Sequence, residues 1–249
     1  IENFLFPSII KSKTIITNSS GIHADSVSEF VIASMLYFSK QFKDCHAFYN
    51  NKEWTQWDIA RKMNNLKGKT IGIIGYGSIG KAIGVRSKAF GMRVIGLRRL
   101  QKKIESKKTI DYLLPLSELD FLLKESDYVV ISCPLTPLTK GLIGHNELNK
   151  MKKTSYLINI ARGSIIDENS LIDNLKKHKI AGAALDVFDK EPLSKNSPFF
   201  KLDNVFLSPH ISGNFPNYNQ MVMNIFYENF NRFKNGKALK NRVCKKRLY

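Results

Sequence analysis

Among the five histidines of the chain, His210 has the most suggestive neighbours. It lies in Ser208-Pro209-His210-Ile211-Ser212-Gly213, just after the apolar run Val205-Phe206-Leu207. An imidazole titrates near neutral pH, so a histidine here is either a buried structural residue or a group that gives and retakes a proton. Two other stretches place polar residues directly after a predicted strand. One is Asn159-Ile160-Ala161-Arg162-Gly163; the other is AALDVFDKEP at 183–192, which holds Asp186 and Glu191. In an open α/β sheet, ligands bind beyond the carboxyl ends of the strands. Arg162, Glu191 and His210 are therefore expected to converge there, although 29 and 19 positions separate them.

A fourth stretch speaks of phosphate. GYGSIG at 75–80 follows a predicted strand and opens a predicted helix, the context that gives a GxGxxG pattern its meaning. Gly75 permits the tight turn, Gly77 lets the backbone approach a pyrophosphate, and Gly80 lets helix and strand pack closely. The helix N-terminus then offers unpaired N–H groups to an anion. GYGSIGK also fits the start of a phosphate-binding P-loop, but Ala82 stands where Ser or Thr should hold magnesium. The next strand runs into Arg98-Arg99, with no carboxylate before Glu105. Two guanidiniums suit a ribose 2′-phosphate better than a bare 2′-hydroxyl, so NADP(H) is favoured and NAD(H) stays possible. The alternative is a solvated basic turn.

The elements that must position these residues follow from the hydrophobic pattern. Strands are predicted at 13–17, 70–74, 93–97, 128–132, 156–160, 181–185 and 204–208. Helices are predicted at 26–42, 81–90, 116–125, 145–153, 168–178 and 217–233, the first opened by a Ser26-Val27-Ser28-Glu29 capping box. Short apolar strands alternating with helices imply an α/β fold, a doubly wound parallel sheet covered on both faces. The 249 residues, 43% hydrophobic and 11% aromatic, can bury a sizeable core. No apolar run is long enough for a membrane span. Three widely spaced cysteines fit neither a zinc site nor a disulfide framework, so no metal and a reducing cytoplasm are expected. The net charge of +18 raises nucleic-acid binding, but only 236–249 is a concentrated basic run, and it lacks interleaved aromatics for base stacking. Nucleic acid is not the expected partner.

Taken together, NSSGIHADSVSEF (18–30), GKTIGIIGYGSIG (68–80), ISCPLTPLT (131–139), NIARG, ALDVFDKEP and SPHISG, in this order, resemble the D-isomer-specific 2-hydroxyacid dehydrogenase family. The resemblance implies a Rossmann-type dinucleotide-binding domain at 23–211, with 1–22 and 212–249 belonging to a partial flavodoxin-like substrate domain. It implies hydride transfer between a nicotinamide and a small 2-oxo acid, giving a D-2-hydroxy acid. It puts the catalytic roles on Arg162, Glu191 and His210. His210 would exchange the proton, Glu191 would fix the ring, and Arg162 would grip the substrate carboxylate. On the cofactor side it implies backbone contacts from Ser78 and Ile79 and a carboxamide contact from Asp186. Cys133, Pro134 and Thr139 would line the adenosine-ribose side, and Ile160, Ala161 and Gly213 complete the set. Cys133 reads equally well as strand-end packing. The other four histidines read as structural or solvent-facing.

Among family members, the Arg98-Arg99 pair and short length look most like hydroxypyruvate/glyoxylate reductases. A phosphoglycerate dehydrogenase-like enzyme and a catalytically silent, corepressor-like binding protein stand as alternatives. Formate dehydrogenases carry Gln where Glu191 stands. A homodimer is implied, and Trp54 and Trp57 fall where related reductases pack across one, although their spacing also fits a core-facing helix. The chain opens on Ile1, about 70 residues after such enzymes usually begin, and is expected to be a piece of a longer one.

Overall fold

The computed structural model describes residues 6–245. The first five residues of the expected 1–22 segment and the last four of the basic run lie outside that range. Its strands are β1 (Thr70–Ile74), β2 (Arg93–Leu97), β3 (Glu105–Lys107), β4 (Ile110–Leu114), β5 (Tyr128–Ile131), β6 (Tyr156–Asn159), β7 (Gly182–Leu185) and β8 (Val205–Leu207). They form one sheet in the order β3-β4-β2-β1-β5-β6-β7-β8. Every neighbouring pair is parallel except β3 with β4. From β1 the chain builds outward through β2 to β4, then returns to start β5 on the other side of β1. That reversal is the topological switch point at which such sheets bind ligands.

The helices are α1 (Pro7–Lys11), α2 (Ala24–Ser39), α3 (Phe42–Asn51), α4 (Gln56–Ala60), α5 (Ser78–Ala89), α6 (Leu119–Glu125), α7 (His145–Leu148), α8 (Glu168–Lys176) and α9 (Tyr218–Lys234). Successive strand side chains point to opposite faces, and two cores result. Val129 and Ile131 of β5 join Leu122 and Leu123 of α6 and Leu171 and Leu175 of α8. Tyr128 and Val130 join Val31 and Met35 of α2 and Ile83 of α5 on the other face. The buried runs TIGII and YVVI are apolar on both faces because both faces are covered. The expected α/β, doubly wound, Rossmann-type sheet is present.

Several local expectations need correction. Residues 13–17 form no strand; only Thr17 makes an isolated antiparallel bridge, to Arg242. The first long helix starts at Ala24 with His23 as its cap and ends at Ser39, not 42. Ser26 is therefore inside it and caps nothing. The 145–153 helix shrinks to four residues, and 116–125 divides into a 3-10 turn at Leu116–Glu118 followed by α6. Strands β3 and β4 were not expected: Glu-Ser-Lys of β3 is an exposed polar edge without an apolar pattern, and β4 interrupts its buried Ile110, Leu113 and Leu114 with the more exposed Asp111 and Tyr112. Trp54 and Trp57 are not core: they are 80% and 66% exposed. Among the described residues, no helix is long and apolar enough to cross a membrane, and no group of His, Cys, Asp or Glu could hold a metal.

Candidate active site at the carboxyl edge of the sheet

The glycine loop leaves β1 at the switch point. Gly75 has φ +102°, and a Cβ there would lie 2.6 Å from the backbone N and Cα of Cys133. The loop is thus pressed against the chain leaving β5, and Ser132 Oγ donates to the Gly75 carbonyl at 2.9 Å. Gly80 closes the other side: a Cβ would meet the Gly75 carbonyl oxygen at 2.6 Å. At Gly77 nothing stands within 4 Å of a built Cβ. The three glycines differ as a dinucleotide loop requires, two being packed against protein and the middle one open for backbone approach to a diphosphate. Gly77 also caps α5, and Ser78 is exposed while Ile79 is half-buried. Tyr76, by contrast, points inward, 3% exposed, with its hydroxyl on the Thr109 carbonyl.

Arg98 and Arg99 follow β2 directly. Arg98 is exposed, its N–H donates to the Leu114 carbonyl, and its carbonyl accepts from Gln101 in a turn. Beyond β5, Pro134 is exposed, whereas Cys133 and Thr139 are buried. Burial pushes the Cys133 thiol up to about 12, so it stays protonated and unreactive. Thr139 Oγ1 bonds the Pro134 carbonyl and accepts from the Thr136 N–H. It shapes its own loop.

Beyond β6, Asn159 is 1% exposed. Its Nδ2 donates to the Arg162 carbonyl at 3.0 Å, its Oδ1 accepts from the Ala161 N–H at 3.1 Å, and its own carbonyl accepts from Asp186 N. Asn159 thereby bends the chain so that Arg162 is exposed, while Ile160 and Ala161 stay buried. Arg162 Nη1 donates to the Ala161 carbonyl at 2.6 Å.

The most telling pair is His210 and Glu191. His210 Nδ1 lies 2.7 Å from Glu191 Oε2, and Glu191 Oε1 accepts from the Phe188 N–H at 3.0 Å. The bonded Nδ1 leaves Nε2 as the ring nitrogen available to a ligand, on a side chain that is 48% exposed. His210 holds φ +55°, a conformation that non-glycine residues adopt only when their surroundings impose it. Asp186 imposes it. Its fully buried carboxylate accepts from Ser208 Oγ (2.6 Å), Ile211 N (2.9 Å) and Ser212 N (2.9 Å), and its carbonyl accepts from His210 N. The far side of the loop is tied to α2. Ser26 Oγ bonds the Ser212 and Asn214 carbonyls, and His23 Nδ1 lies 2.9 Å from the Gly213 carbonyl. Sequence reasoning missed Asn159, Ser26 and Ser208. The signal available for them was small polar residues at strand ends and one helix start, too common to single out.

The chain matches the D-isomer specific 2-hydroxyacid dehydrogenase, NAD binding domain family over residues 32–212. It is 38% identical over 228 residues to a glyoxylate reductase of Thermococcus gammatolerans, covering 90% of this chain and 67% of that relative. Among solved structures it resembles a D-isomer specific 2-hydroxyacid dehydrogenase of Xanthobacter autotrophicus in complex with NADPH. The TM-score is 0.84 and the identity 26%, with 97% of this chain and 98% of that one covered. It also resembles an NADPH-dependent glyoxylate/hydroxypyruvate reductase of Sinorhizobium meliloti in complex with NADP and sulfate. There the TM-score is 0.86 and the identity 25%, covering 100% and 77% of the two chains. The chain thus spans about two thirds of the length of the curated relative it matches.

Proposed function

The chain belongs to the D-isomer specific 2-hydroxyacid dehydrogenase family of NAD(P)-dependent oxidoreductases, and from that premise we propose that it reduces a small 2-oxo acid to the D-2-hydroxy acid, with NADPH as preferred cofactor. Glyoxylate and hydroxypyruvate are the substrates of choice. The observation that carries the reading is the His210–Glu191 pair at 2.7 Å, on a strained loop at the same sheet edge as the glycine loop. The open space at Gly77 fits a dinucleotide diphosphate, and exposed Arg98 at the end of β2 fits a 2′-phosphate. Two structural relatives were solved with NADPH or NADP.

Bound nicotinamide supplies the hydride. The protein's residues do the rest. Reduction leaves negative charge on the former carbonyl oxygen, and protonated His210 delivers its Nε2 proton there. Glu191, on Nδ1, fixes the ring and balances its charge, the role an acid plays behind a histidine in hydrolytic triads. Arg162 holds the substrate carboxylate and polarises the carbonyl, so that C2 faces the hydride. In the reverse direction neutral His210 takes the hydroxyl proton. Asp186, fully buried with its carboxylate on Ser208, Ile211 and Ser212, is not open to the carboxamide contact that the resemblance implied and acts instead by organising the His210 loop. Ser78 and Ile79 meet the diphosphate through backbone N–H groups. Pro134 borders the adenosine ribose. Residues 23–211 form the dinucleotide-binding unit, and 1–22 with 212–249 belong to the substrate unit.

We further propose a homodimer, because Tyr49, Trp54 and Trp57 are exposed together around α3 and α4, and a cytoplasmic location, in keeping with three free cysteines. The test is the loss of reduced-nicotinamide absorbance with NADPH, then NADH, against glyoxylate, hydroxypyruvate and pyruvate, followed by chiral analysis of the glycerate or lactate formed, glycolate being achiral. Turnover faster with NADPH and a D-product support the proposal. Cofactor binding without turnover of any 2-oxo acid would leave a silent binding protein instead.

A further inference from the structure

Arg162, Glu191 and His210 sit on three separate loops, after β6, β7 and β8. The 2.7 Å contact joins His210 to Glu191, and something must hold the first two loops in register. Three contacts do so. Gly163 lies so close to the second loop that a Cβ would be 1.8 Å from the Phe188 carbonyl carbon. Ser164 Oγ bonds Asp189 Oδ1. Glu168 Oε1, from the first turn of α8, accepts the Asp189 N–H at 2.6 Å. The neighbouring residue, Phe188, gives its N–H to Glu191. One carboxylate therefore grips the backbone one residue away from the amide that orients Glu191.

Local structure does not require a carboxylate at Glu168. Asp167 already caps α8, its side chain accepting from Asn169 N and Ser170 N. The setting also disfavours the charge. Burial raises the Glu168 pKa, and the facing carboxylates Asp189 and Glu191 raise it further. A like-charged cluster that stability alone would not select is the kind of local conflict expected at a functional site. Meanwhile Leu171 and Leu175 anchor α8 in the core, so Glu168 is held by a rigid element.

We propose that Glu168 is a positioning residue: by holding the Asp189 backbone it keeps Glu191 on His210 and the Arg162 loop in register with both. The proposal rests on the oxidoreductase reading for its kinetic consequence, and on none of it for its structural one.

The test compares Glu168→Ala, which removes the acceptor, with Glu168→Gln, which keeps an acceptor oxygen and removes the charge. Amide hydrogen exchange of the 186–191 segment is read first, without substrate. Exchange should quicken in Glu168→Ala and stay slow in Glu168→Gln, with the 75–90 segment unchanged in both. Equal exchange in wild type and Glu168→Ala overturns the proposal whatever the turnover. Kinetics with NADPH and glyoxylate follow. Glu168→Ala should lower kcat roughly 10-fold, a fraction of what a 1 Å misplacement costs, with KM and NADPH affinity nearly unchanged, and Glu168→Gln should restore kcat. A kcat unchanged in Glu168→Ala, or lost equally in Glu168→Gln, overturns it. Wild type without turnover defeats the reductase reading, and the exchange data still decide whether Glu168 holds the loop.

Discussion

Gly163→Ala should disable the site while leaving cofactor binding intact. A Cβ at this position would stand 1.8 Å from the Phe188 carbonyl carbon, 2.1 Å from Asp189 N and 2.2 Å from the Phe188 carbonyl oxygen. All three are backbone atoms, so no rotamer change relieves the clash. Reaching the 3.4 Å of ordinary contact parts the two loops by about 1.6 Å. That separation strains the Ser164–Asp189 and Glu168–Asp189 bonds and shifts Arg162 relative to Glu191 and His210. Overpacking of this sort costs about 1–3 kcal/mol of stability. A displacement of about 1 Å in reacting groups costs on the order of 100-fold in rate. The expected result is a folded protein with kcat for glyoxylate down about 100-fold and NADPH affinity within about twofold of wild type, because the glycine loop is a separate site. The assay is steady-state turnover beside a fluorescence titration of NADPH and a thermal melt. A folded Gly163→Ala protein with wild-type kcat would refute the claim that contact between the loops sets the site.

Other outcomes follow from the same geometry. Asp186→Asn cannot accept all three hydrogen bonds that the buried carboxylate accepts, so urea unfolding should show a loss of at least ~2 kcal/mol, the scale for bonds to a buried charge; a smaller change would mean the loop holds itself. Arg98→Asp should lower the NADPH/NADH preference by about 10-fold or more, the worth of one charge-assisted bond, and an unchanged ratio of kcat/KM values would make Arg98 a bystander. Cys133, buried with its thiol held near 12, should resist alkylation at pH 8 in the folded protein, while half-buried Cys45 and Cys244 react; mass spectrometry of labelled peptides decides. Acidity works the other way on Glu168. A carboxyl whose folded pKa is raised by burial favours folding at low pH, and that contribution fades as pH rises through its folded pKa. Glu168→Gln should therefore flatten the stability profile in that window, and an unchanged profile from urea unfolding would count against it.

Most of the fold was legible because a two-face-covered sheet writes each strand as a short apolar run. TIGII, RVIGL and YVVI need no partner to be recognised. The edge strand β3 was not legible, because an exposed edge has no apolar face to betray it. The glycine loop was readable as a steric pattern, with a tight turn at Gly75, open space at Gly77 and close packing at Gly80. His210 and Glu191 were nameable from their place after strands, and their contact is in the structure. The machinery holding them was not. Ser26 sits in a sequence that spells a capping box, yet its hydroxyl crosses to Ser212 and Asn214. Such a contact spans 186 residues or more, and no local pattern encodes it. Trp54 and Trp57 mislead for a related reason: their spacing fits a buried helix face, but only five residues form α4 and the core does not reach them.

The central claim is that His210, held by Glu191, moves the proton in 2-oxo acid reduction. The most direct measurement is single-turnover oxidation of bound NADPH by glyoxylate in wild type and in His210→Ala, with NADPH affinity measured on the same samples. The account predicts a rate at least ~100-fold lower in His210→Ala, the scale of a lost general acid, at unchanged NADPH affinity. A His210→Ala protein that oxidises NADPH at the wild-type rate would contradict it.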